Sequence, residues 1–149
     1  MSLFYPKLQL HATISIWKSN LALVSRNWDT NLKITDEARE EILQFATDHY
    51  NELSSSGAQW NGRQIRNAFQ KAIALAEYQA QQIRKEFEIE GVLPPCLRKA
   101  HFETVAKASK HFDQYLEETV GSTATLAAEA HERRDDLDGN GISLDALKK

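Results

Sequence analysis

The run QWNGRQIRNAFQKA, residues 59 to 72, sets Gly62, Arg63 and Arg66 in the first two turns of a helix. Backbone amides at a helix start carry partial positive charge, so each cation there costs roughly 0.3 to 1 kcal/mol unless an anion balances it. Gly62 removes a side chain beside those amides, and the planar guanidinium of Arg63 matches the oxygens of a phosphate. Such a terminus is equipped to bind an anion. The plainer alternative is a pair of solvated arginines, or arginines matched to carboxylates elsewhere. The residue types alone do not say which anion.

Other candidates for chemistry are weaker. The stretch DLDGNG near the C-terminus places Asp136, Asp138, Asn140 and Gly141 at the first, third, fifth and sixth positions of a calcium loop, but Leu147 stands where a bidentate glutamate is required. His11, His49, His101, His111 and His131 show no pair at ligand spacing with a third acidic or thiol partner, so no metal site is expected. Cys96 is the only cysteine and has no histidine partner that spacing would identify, so a catalytic nucleophile is not expected. Arg98, Lys99, Lys107, Lys110 and His111 are interrupted by Glu103 and Asp113, which reads as a solvated helix face and not a nucleic-acid surface. No Gly-Lys pair exists, so the phosphate loop G-x-x-x-x-G-K-[ST] is absent. No apolar strand ends in an acidic pair that could hold magnesium.

Four helices must position the arginines. From His11 onward Ile14, Trp17, Leu21, Val24 and Trp28 make one apolar stripe, with the helix ending near Arg26. Thr35 then caps a second helix whose first turn holds Asp36 and Glu37 and whose stripe is Ala38, Ile42, Phe45 and Ala46, running to about Tyr50. The third is the most strongly marked. Asn61 is its cap, Gln64 can reach back to close a capping box, and Trp60 and Ile65 are placed as a hydrophobic staple. Its inward stripe is Ile65, Ala68, Phe69, Ala72, Leu75, Ala76, Gln79 and Ile83, reaching Phe87. After the stop EGVLPPC, a fourth helix turns Phe102, Val105, Ser109, Phe112 and Leu116 inward, with Glu103 and Lys107 as a surface pair. LFYP at the start could be the tail of a strand. Beyond Val120 small apolar residues and alternating charges predict a loosely held tail, in which TLAAEAHERRDD could continue the helix.

The totals agree with one small helical domain. There are 149 residues, 42% hydrophobic, with six glycines and three prolines, so breakers are few and elements long. A net charge of -3 argues against a protein devoted to gripping a polyanion. One cysteine, no apolar run of membrane length and no basic leader predict a soluble, intracellular chain.

WNGRQIRNAFQKAIALAEY resembles the third helix of the C-terminal helical lid of AAA+ ATPases, particularly the lid of large fungal members of the classic AAA branch. SLFYPKLQLHATISIW is similar to the segment that leaves the last strand of the ATPase core and enters the lid, and LRKAHFETVAKASKHFDQYL to the closing helix. The resemblance covers residues 2 to about 118. It implies an all-α, four-helix lid-type bundle over residues 11–118, an extended segment at 1–10 belonging to the core strand and linker, and a flexible tail at 119–149. It also implies that a sensor-two arginine near the start of the third helix reaches nucleotide phosphates. Arg63, following Gly62, matches that position best, with Arg66 as the lesser substitute. The expected cofactors are ATP and Mg2+, both held with a core these residues lack. The expected partner is an AAA+ core domain, in the parent chain or in the neighbouring subunit of an oligomeric ring. On this reading the domain contributes to ATP sensing and intersubunit coupling and hydrolyses nothing alone. The alternative is a free-standing helical interaction module that binds no nucleotide.

Overall fold

Apolar stripes at helical spacing need a common face to bury, and here they converge on one tryptophan. The computed structural model describes the backbone of residues 6–26 and 31–139 and the side chains of those up to Thr119. Four helices follow one another: α1 Leu10–Arg26, α2 Asp36–Ser54, α3 Gly62–Glu86 and α4 Lys99–Gly139. Among the described residues the only extended pairing is a single parallel bridge between Lys33 and Cys96, so the expected all-α class holds. The chain divides into two compact units, residues 1–107 and 108–149. Leu3, Phe4 and Tyr5 of LFYP, Trp28 and the calcium-like positions Asn140, Gly141 and Leu147 lie outside the described residues, as do the side chains of Asp136 and Asp138.

In the first unit Trp17 of α1 is 1% exposed. Its ring centroid lies 6.0 Å from that of Phe45 on α2, 5.1 Å from Phe69 on α3 and 5.1 Å from Phe102 on α4. Trp60, in the loop before α3, stacks on it at 6.5 Å. Leu21, Ile42, Ile65, Ala72 and Leu97 complete the same buried cluster. The small residues Ala68, Ala72, Ala76 and Ala80 run down the inner face of α3 and let neighbouring elements approach closely.

Three boundaries and pairings differ from the sequence reading. The helix expected to stop near Tyr50 continues to Ser54, because the hydroxyls of Ser54, Ser55 and Ser56 bond back to the carbonyls of Asn51, Glu52 and Leu53. Gly57, at φ 68, makes the actual turn. Glu103 pairs with Lys99 at 3.3 Å and not with Lys107. Helical side chains lean toward the N-terminus, so the carboxylate is carried back to the first turn, where the dipole favours it. On α4 Phe102 and Val105 are buried as expected, but Phe112 is 59% and Leu116 36% exposed and Ser109 is only half-buried. Periodicity thus continues past Lys107 on side chains that are exposed or half-buried. The backbone of TLAAEAHERRDD is helical.

The end of α3 holds a strained residue. Glu88 adopts φ 48, with its N–H donating to the Lys85 carbonyl at 3.4 Å and the Ile89 N–H to the Arg84 carbonyl at 3.0 Å. This is the Schellman arrangement, whose left-handed position glycine fills without strain. A left-handed conformation costs an L-residue about 1 to 2 kcal/mol. Glu88→Gly is therefore expected to raise unfolding free energy by about 1 kcal/mol, read from urea midpoints at unchanged slope. An unchanged or lower midpoint would contradict the strain.

Burial disfavours the charged form of two histidines. The Arg98 N–H donates to Nδ1 of His101 at 3.1 Å, so the proton sits on Nε2, which lies 2.8 Å from the Oε1 of Gln79. Gln79, expected in the apolar stripe, instead spends its amide on this bond, and His101 takes the role that glutamate or glutamine has in a capping box, at the start of α4. His49 lies between Phe45 and Trp60, with ring centroids 5.4 and 4.1 Å away. Burial pushes both imidazoles below the ordinary 6.5, helped at His101 by the Arg98 charge and opposed at His49 by Glu52. The unfolded chain therefore takes up protons at a higher pH than the folded one. Their contribution to stability is complete above about pH 6.5 and is lost as the pH falls through that value toward the lowered folded pKa values. Thermal midpoints are expected to fall between pH 7.5 and 5, and less so in a His49→Phe, His101→Gln double variant. Parallel profiles for the two proteins would contradict this.

Candidate functional site

The start of α3 is fixed from three sides. Trp60 precedes the cap and is held between Trp17 and His49, which sets the angle at which the chain enters the helix. Asn61, at extended φ and ψ of -81 and 173, accepts the Gln64 N–H on its side chain at 2.9 Å. Gln64 Oε1 accepts the Asn61 N–H at 2.9 Å, so the capping box inferred from the sequence is complete. Ile65 is fully buried one position after the box, in the cluster against which Trp60 packs.

A helix start leaves four amides without intrahelical partners. The box satisfies those of Asn61 and Gln64, and the Ile65 N–H already bonds the Asn61 carbonyl at 3.0 Å. The N–H groups of Gly62 and Arg63 remain without a partner among the described residues. Gly62 is half-buried beside α1, and a methyl placed on it would meet only the Cδ1 of Ile16, at the ordinary contact distance of 3.7 Å. The fold thus does not require glycine at this position. Arg63 and Arg66 are both exposed, and neither guanidinium forms an ion pair or hydrogen bond among the described residues. The first turn of α3 contains no acid, whereas α2 opens with Asp36 and Glu37.

Chemically this is a small electropositive surface: two free amide donors, the positive end of a 25-residue helix dipole and guanidinium groups three residues apart. It carries no nucleophile and no general base. Among the described residues no three His, Cys, Asp or Glu side chains are grouped to hold a metal ion. Nor is any helix there long and apolar enough to cross a membrane. The sequence pattern located the cap, the glycine and the arginines. It missed the part of His49, whose contact with Trp60 joins residues eleven apart and leaves no periodic signal.

These features define a class: an α-helical domain with an over-specified third-helix start facing solvent. The family model for the fungal AAA+ ATPase lid domain matches residues 8–123, and the chain belongs to that family. No curated protein and no solved structure gives a significant match to it.

Proposed function

We propose that the start of α3 senses the phosphates of ATP bound by an AAA+ core domain, with Arg63 as the principal contact, the Gly62 and Arg63 amides as supporting donors and Arg66 as an auxiliary charge. The observation that supports this reading is the pair of free amides beside an unpaired guanidinium, at the end of a helix whose other two orphan donors are already capped. An anion there would offset both the uncapped donors and the unfavourable placement of the arginines. The nucleotide's Mg2+ would be held by the core, and the chemistry of hydrolysis would be the core's. The lid's part is to make phosphate contacts that exist with ATP and disappear after hydrolysis, so that its position changes with the nucleotide and is passed to a neighbouring subunit.

The chain can be tested directly by titrating it with ATP and with tripolyphosphate while following backbone amide resonances. The amides of Gly62 and Arg63 are expected to shift together, and those at the start of α2 to stay in place. Gly62→Ala is expected to leave stability the same or at most about 1 kcal/mol higher. The same change should weaken the anion-induced shifts, because the methyl would stand over the donors. Amides that do not respond to millimolar tripolyphosphate would favour an interaction module that binds no nucleotide.

A further inference from the structure

The end of α2 touches two incoming stretches of chain through consecutive side chains. The Tyr50 hydroxyl donates to the carbonyl of Leu8, just ahead of α1, at 2.9 Å. The ring of His49 lies 4.1 Å, centroid to centroid, from that of Trp60, just ahead of α3. A third contact joins the same parts. α2 has no basic residue in its last turn, where the helix dipole favours a cation. Gly57, at φ 68, closes that end, and a Cβ built on it would come within 2.5 Å of the Nζ of Lys7, so the lysine next to Leu8 lies against the turn. The hydroxyls of Ser54, Ser55 and Ser56 tie back to the carbonyls of Asn51, Glu52 and Leu53, which keeps the end of α2 from fraying.

We propose that Tyr50 and His49 form a yoke: the direction in which the chain enters α1 is passed through the end of α2 to Trp60, and so sets where the Gly62 and Arg63 donors stand. Side chains at adjacent helix positions diverge by about 100°, so one turn of α2 can grip both stretches without bringing them together. Because that turn is tied, a displacement of Leu8 is carried to Trp60 instead of being absorbed between them. Trp60 precedes the cap Asn61, whose box fixes the first turn of α3. Tyr50 is on this account a positioning residue, acting on the start of α3 from a different helix. A core domain joined ahead of Lys7 would be felt at the anion donors by this route. That consequence rests on the phosphate reading of the α3 start, whereas the coupling itself does not.

Tyr50→Phe in the full chain removes the hydroxyl and keeps the half-buried ring. Nitrogen-15 relaxation is expected to show the Lys7 and Leu8 amides more mobile than in the parent. The amide resonances of Trp60, Gly62 and Arg63 are expected to move, although the lost bond is to Leu8. In a His49→Ala background the same change should leave those three amides in place, because the second arm of the yoke is gone. Tripolyphosphate affinity, read from the Gly62 and Arg63 resonances, should fall by about two- to fivefold in Tyr50→Phe, within the scale of one hydrogen bond between neutral groups. Resonances that stay where they are in Tyr50→Phe, or that move equally with and without His49, would overturn the yoke. An affinity equal to the parent's would overturn its link to the anion donors. Tripolyphosphate that binds neither protein, with the resonance changes present, would instead overturn the phosphate reading and support the yoke. If His49→Ala fails to fold, the resonances and affinity of Tyr50→Phe alone decide.

Discussion

Trp17→Ala is expected to lower the unfolding free energy by about 3 to 5 kcal/mol, a large share of the roughly 5 to 15 kcal/mol that a small domain commands. Trp17 is 1% exposed and is the residue through which the four helices and the α3 entry loop meet. Alanine would remove the ring from an interior that Phe45, Phe69 and Phe102 cannot refill without leaving their own rotamers. The loss would reach the candidate site as well, because Trp60 stacks on Trp17 and sets the entry into α3. Urea unfolding followed by circular dichroism gives the stability, and the amide resonances of Gly62 and Gln64 report the capping box. Trp17→Phe keeps an aromatic ring and is expected to lose less than half as much. A Trp17→Ala protein as stable as the parent would mean that the aromatic cluster is not what holds the first unit together.

The second large effect concerns Arg63 in a protein that carries both a P-loop core and this lid. If the guanidinium contacts phosphate, Arg63→Ala removes a charge-assisted hydrogen bond worth about 1.5 to 3 kcal/mol, or roughly 10- to 100-fold in ATP affinity or turnover. Arg63→Lys should recover only part of it, since an ammonium keeps the charge but not the planar fork. Arg66→Ala should cost less than Arg63→Ala. None of these changes is expected to affect folding, because both arginines are exposed and without ion-pair or hydrogen-bond partners among the described residues. That separates a functional loss from a structural one. Turnover and affinity equal to those of the unsubstituted protein would remove Arg63 from the site.

Much of the fold was legible because it is written in local patterns. Helices α1 to α3 follow stripes whose spacing repeats within one turn, and the box Asn61–Gln64 is a four-residue signature with a single geometric meaning. The inward residues Trp17, Leu21, Ile42, Phe45, Ile65, Ala68 and Phe69 are buried as their periodicity required. Where the reading failed, it assumed that a continuing pattern implies a continuing neighbour. Phe112 and Leu116 keep the spacing of Phe102 and Val105 but are exposed. Similarly, a serine cluster read as a break proved to be the last turn of α2, because hydroxyls that compete with a helix in its middle can satisfy its carbonyls at its end.

By itself the sequence determined the all-helical class, the placement of the caps and the position of two arginines at the wrong end of a dipole, since each depends on residues within a turn or two of one another. Only the tertiary structure decided which amides at that end stay free, that Gly62 is not demanded by packing, and that burial lowers the pKa of His49 and of His101. It also decided that the end of α2 meets Leu8 through Tyr50 and Trp60 through His49. These facts join residues far apart in the chain, and burial, pairing and charge balance among such residues are set by how the helices pack and not by any spacing along the sequence.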